Sequence, residues 1–190
     1  MGYALSWLAV RGKQPAQVLA DLDATPTGRR IGFAERRLGA RQLSSGWYAV
    51  YANEAEHPWA QEDWLATLSA GAEVLACQVE EHVMFASVEL WRAGERQWRV
   101  VHDAQQGREH LAAEGALPPV YAGIAAEHRQ LQLTSTSGVD HVFEVPLKLA
   151  QHLTGFKHDE GDAGAEVQWD ELSDGPVLST EKPKPWWKLW

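Results

Sequence analysis

The chain is nearly devoid of cysteine: Cys77 stands alone among 190 residues. A single cysteine excludes an intramolecular disulfide and makes a reducing cytoplasm the expected compartment. No apolar run approaches the ~20 residues that a membrane-spanning helix needs. The apolar N-terminal segment MGYALSWLAVRG has no basic flank before it and no small-residue cleavage site after it, so no signal peptide is expected. Compact chemical signatures are missing too. The glycines are isolated and form neither GxGxxG nor a P-loop, and the eight histidines show no HxH, HExxH or Cys–His spacing. These absences speak against a phosphate-cradling loop and against a thiolate or imidazole metal centre.

What is present is a globular composition, 45% hydrophobic and 23% charged, with a net charge of −9 that is unevenly spread. Residues 1–45 carry seven Lys/Arg against three Asp/Glu, residues 46–156 six against fifteen, and residues 157–190 four against eight. An acidic middle repels nucleic acid and attracts basic partners. Arg29, Arg30, Arg36, Arg37 and Arg41 are the exception. Only Phe33 interleaves with them, so they read as a solvated face rather than an RNA footprint. No nucleic-acid partner is expected.

Residues 73–103, EVLACQVEEHVMFASVELWRAGERQWRVVHD, read as three antiparallel strands. Within 83–92, Val83, Phe85, Ser87, Glu89 and Trp91 share one face while Met84, Ala86, Val88 and Leu90 share the other. A type II′ turn at Gly94-Glu95 would set Trp91 opposite Trp98 and Glu89 opposite Val100. Further strands are expected over 3–10, 31–33, 46–53 and 139–145. Helical spacing predicts a helix from Pro15 that Thr25-Pro26-Thr27-Gly28 stops, and others over 35–41, 61–70, 118–133 and 146–154. Hairpins adjoin one another while helices separate other strands. The fold class is therefore α+β: a single domain over residues 1–156, with a mainly antiparallel sheet around a three-stranded meander, packed by about four short helices. Residues 158–181 are rich in Gly, Asp and Glu and have linker composition. The chain closes on KPKPWWKLW, which holds three of the ten Trp residues, so residues 157–190 read as an acidic linker with a Trp-rich tail.

Three groups could carry chemistry. Cys77 with His102 and Asp103 would form a nucleophile set, but two strand spacings of roughly 9–10 Å separate the thiol from the imidazole. A thiol between Ala76 and Val79 suits inert packing better. Glu80, Glu81 and His82 gather two carboxylates and an imidazole at a turn, yet adjacent strand residues point to opposite faces, and charged hairpin turns are usually just solvated. Neither group makes a catalytic, cofactor or metal site, and no cofactor is expected. Trp186, Trp187 and Trp190 beside Lys are the most specific feature outside the domain. Aromatic anchors of this kind fill pockets on a protein, in cis or in trans, and one weak signal is too little for a membrane anchor. Partner binding is thus placed on Trp186, Trp187, Trp190, Glu80 and Glu81.

Val10-Arg11-Gly12, the Pro-started helix with Val18-Leu19, Gly46-Trp47-Tyr48, the helix end over 65–71 and the hairpins up to His102-Asp103 resemble uncharacterised small bacterial α+β proteins of the cytoplasm. The resemblance covers roughly the first hundred residues and is carried by structural motifs. Some proteins of that kind are immunity partners of secreted toxins. What it implies is a non-catalytic protein-binding domain, an immunity protein whose partner is a toxin. The competing expectations are a small hydrolase using Glu80, Glu81 and His82 or His102 and Asp103, and an adaptor docking through its KPWWKLW peptide.

Overall fold

The computed structural model describes residues 2–160 and 168–174. In chain order it runs β1 (Ala4–Arg11), α1 (Pro15–Asp21), β2 (Ala24–Ile31), β3 (Leu38–Gln42), β4 (Tyr48–Ala52), α2 (Glu62–Leu68), β5 (Glu73–Glu80), β6 (Phe85–Arg92), β7 (Glu95–Asp103), β8 (Ala112–Gly115), α3 (Tyr121–Thr134), α4 (Glu144–Thr154) and β9 (Trp169–Asp174). The described strands form one nine-stranded sheet in the order β2-β9-β3-β4-β1-β5-β6-β7-β8. Every pairing in it is antiparallel. With four α-helices among the described residues on this sheet, the fold is α+β in a single domain. No helix among the described residues is long and apolar enough to cross a membrane.

β1 lies at the centre and is buried on both sides, as its near-continuous apolar run ALSWLAV requires. Leu5, Trp7 and Ala9 enter one core, and Leu8 and Val10 the other. The first core is closed by α4, which lies across β5, β6 and β7, with α3 packed against α4. The second is closed by α1 and α2, which supply Val18, Leu19, Leu65 and Leu68. Both are short helices. They cover the sheet only in part, and this leaves the far half of the second face open.

Several expectations need correction. The β6–β7 turn is Ala93-Gly94, not Gly94-Glu95. Both residues take left-handed φ, 51° and 80°, and two successive left-handed residues give the type I′ turn that suits strand twist. Ser69 anchors this turn, accepting the Ala93 N–H through its carbonyl and the Gly94 N–H through Oγ. A bulge between Leu90 and Trp91 then shifts the register, so Trp98 faces Leu90 and Glu89 faces Arg99. Trp91 and Trp98 consequently lie in different cores, on opposite faces of the sheet.

Residues 25–28 do not stop a helix; they lie inside β2, and residues 35–41 hold the start of β3 rather than a helix. The 139–145 strand is absent. Asp140 Oδ1 accepts the Phe143 N–H at 3.3 Å in the preceding turn, and α4 begins at Glu144 with Pro146 in its first turn, where proline is tolerated.

The last correction concerns the acidic stretch over 158–181. Trp169–Asp174 is a strand inserted between β2 and β3, not linker. Trp169 and Leu172 have opposite parity, so each core receives one large apolar side chain from β9. The acidic residues between them answer the arginines of the neighbouring segments: Arg30 pairs with Asp170 at 2.7 Å, and Arg29 and Arg36 with Glu171 at 3.5 and 3.7 Å. Composition that resembles a linker is here the complement of a basic segment.

Candidate functional site

On the open half of the second face, alternate residues of three strands point into one cleft of about 1240 Å³. Gln78 and Glu80 come from β5, Phe85 and Glu89 from β6, and Arg99, Val101 and Asp103 from β7. Period-2 alternation does this: Cys77, Val88 and Val100, the neighbours in sequence, fill the core under α4 instead.

The segment over 54–62 forms one wall and is tied down along its length. Ser6 Oγ donates to the carbonyls of Glu54 and Ala55 at 3.0 and 2.7 Å, and Gln78 Nε2 to that of Ala60 at 3.3 Å. Pro58–Ala60 is a single 3₁₀ turn whose Trp59 is buried and donates its indole N–H to the Leu22 carbonyl at 3.2 Å. At the other side Asp103 accepts the Gln105 N–H at 3.0 Å and Gln106 Nε2 at 2.9 Å, which fixes the turn after β7.

Glu89 lies on the floor, 7% exposed. Arg96 Nη1 approaches its Oε2 to 3.4 Å and also holds Glu62 at 2.7 Å, while Arg99 Nε is 3.9 Å from the same Glu89 oxygen. Burial pushes the Glu89 pKa above the usual carboxylate range, against the opposing pull of Arg99 and Arg96. Among the described residues, six carboxylates line the cleft (Glu54, Glu56, Glu62, Glu80, Glu89 and Asp103) with two guanidiniums that both face Glu89, while Arg37 reaches Glu54 at 3.3 Å from outside the lining. The cleft is an anionic surface with an apolar strip of Phe85, Val83 and Val101.

Glu80 is in this cleft, with Oε1 2.7 Å from His82 Nδ1. Glu81 turns away from it. It accepts the Tyr3 N–H at 2.8 Å and sits 3.2 Å from Nε2 of the buried His158. Trp186, Trp187 and Trp190 lie outside the described residues. Cys77 and His102 are fully buried in or beside the core under α4. His102 Nδ1 is 2.7 Å from the His110 carbonyl oxygen, and its Nε2 is 3.2 Å from Asp140 Oδ2. Asp103 opens on the cleft, on the other face of the sheet, so the thiol, imidazole and carboxylate do not assemble. Among the described residues, no three His, Cys, Asp or Glu side chains gather as a metal site.

The residues missed by sequence reasoning are Glu89, Arg96 and Arg99, together with Glu54, Glu56 and Glu62. The signal for the first three was a cross-strand Glu–Arg pair, which appears only in the bulged register. No protein-family model, curated protein or solved structure matches the chain.

Proposed function

We propose that the chain is a non-catalytic binding domain whose anionic cleft takes a cationic segment of a partner protein. The observation that supports this is the charge of the cleft, which among the described residues is lined by six carboxylates and two arginines, both turned to Glu89. Opposed potentials of this kind steer association and set specificity. A toxin that acts on nucleic acid must carry cationic groups for the phosphate backbone. An anionic cleft is suited to cover them, which makes an immunity protein the specific form of this reading. The test is co-expression with the product of the adjacent reading frame. The expected result is a 1:1 complex that protects the host and weakens with added salt. The triple variant Glu54→Gln, Glu56→Gln, Glu80→Gln should weaken it by about tenfold or more, on the scale of 1.4 kcal/mol per decade. An unchanged affinity in that variant overturns the reading.

One observation favours a second reading, a small hydrolase. A buried carboxyl with a raised pKa on a cleft floor is what a general acid requires. It is separated from the first by Glu89→Gln, which would abolish turnover while leaving association with a cationic partner nearly intact.

A further inference from the structure

We infer that in the free chain the anionic cleft is occupied by the chain's own residues 182–190, KPKPWWKLW, bound in cis. This rests on the reading that the cleft takes a cationic segment, and it names the segment that competes with a partner for it.

Charge and apolar character agree on the two sides. Residues 182–190 carry Lys182, Lys184 and Lys188 with no acidic residue, and Trp186, Trp187 and Trp190. The cleft offers Glu56 together with Glu54 and Glu80, whose present partners are Arg37 at 3.3 Å and His82 at 2.7 Å, around an apolar strip of Phe85 and Val101. Val83, at its edge, is 41% exposed, an apolar surface for an indole to cover. Aromatic rings with lysines between them meet such a surface with both characters satisfied.

The path is short enough. Gly39 pairs with Glu171, Leu38 with Ala52, Ser6 with Ala52 and Ala4 with Glu80, so β9 ends at the same edge of the sheet as Glu80. Four strand steps separate β9 from β5 in the sheet order, about 19 Å at ~4.8 Å each. Residues 175–181 reach at most about 25 Å at ~3.6 Å per residue. Residues 175–181 are therefore long enough to bring Lys182 to the near rim of the cleft. Binding in cis needs little intrinsic affinity, because a short tether supplies an effective concentration on the order of mM. A partner's cationic segment must displace the tail, so the tail sets a threshold for binding.

The test uses the synthetic peptide KPKPWWKLW as probe, titrated into the full chain and into its variant Lys182→Gln, Lys184→Gln, Lys188→Gln. The expected result is binding to the variant about tenfold or more tighter than to the unaltered chain, whose cleft is already filled. Equal binding to both overturns the cis occupant and leaves the cationic-segment reading standing. Binding to neither overturns both. A second arm needs no substitution: carbodiimide coupling joins lysine amines to carboxylates in contact with them. Amide links from Lys182, Lys184 or Lys188 to Glu54, Glu56 or Glu80 within one chain, at a yield independent of protein concentration, support the proposal. Links that form only between chains assign the tail to a second copy and overturn it.

Discussion

Trp169 stands edge-on to Tyr51, ring centroids 5.1 Å apart and planes 75° to each other. This contact joins the last described strand to β4. Phe33 and Phe156 complete the group, each within 5.4 Å of the Trp169 ring centre. The sheet between β2 and β3 therefore depends on β9, the last of the described strands. Trp169→Ala should cost about 3–5 kcal/mol, the range for truncating a buried aromatic residue. A urea melt reads it. A loss under 1 kcal/mol would mean that β9 rests on the sheet without supporting it.

Gly39 tests the same region from below. A Cβ there would meet the Tyr51 ring at 2.5 Å, and Tyr51 is fully buried between Phe33 and Trp169, with no room to withdraw. Gly39→Ala should destabilise by about 1–3 kcal/mol through overpacking. Thermal melting checks this. A fully stable variant would show that the aromatic group yields.

Much of the architecture was legible because its signals are local. The alternation of residues 83–92, Pro15 and the apolar runs of β1 and β4 each specify an element within a few residues. Register was not. The choice between two glycine-containing turns hinged on Ser69, which no local pattern brings to Ala93 and Gly94. β9 was hidden for a related reason. A six-residue strand with two apolar positions has linker composition until its partners, Arg29, Arg30 and Arg36, are known. The cleft followed register: with Glu89 opposite Val100 its carboxyl has no arginine across the strand, and with Glu89 opposite Arg99 it has one.

Register also makes a prediction for Trp91 and Trp98. Either substitution to Ala should cost about 3–5 kcal/mol, since both rings are buried. They occupy different cores, so the double variant should equal the sum within about 0.5 kcal/mol. A coupling of 1 kcal/mol or more in a double-mutant cycle would restore the face-to-face pair.

Cys77 should react with alkylating reagents only as fast as the chain opens. Burial pushes its thiol pKa well above the ordinary range, and it has no exposed surface. The check is alkylation followed by mass spectrometry with and without urea. Rapid labelling of the native chain would contradict the buried position.

Acid stability should carry two carboxylates of opposite sign. Glu160 accepts from Lys148 and Gln151, both at 2.5 Å, and these bonds hold its pKa down to about 2. Its unfolded value is about 4.3, so the folded state binds fewer protons between the two. The stabilisation is complete above about pH 4.3 and is lost as pH falls through about 2. Half-exposed as it is, solvent screens the pair and the effect is small. Glu89 behaves oppositely. Its raised pKa means that the folded state binds the proton more tightly, so its unfavourable ionised form is relieved as pH falls through that raised value. Urea melts from pH 7 to pH 2 on the unaltered chain, Glu160→Gln and Glu89→Gln separate the two. The advantage of the unaltered chain over Glu160→Gln should hold to about pH 4.3 and then vanish. Relative to Glu89→Gln, the unaltered chain should gain stability on acidification, beginning at a higher pH. A loss there instead would mean that Arg96 and Arg99 outweigh burial, and that Glu89 is an ordinary ion-pair carboxylate on the cleft floor.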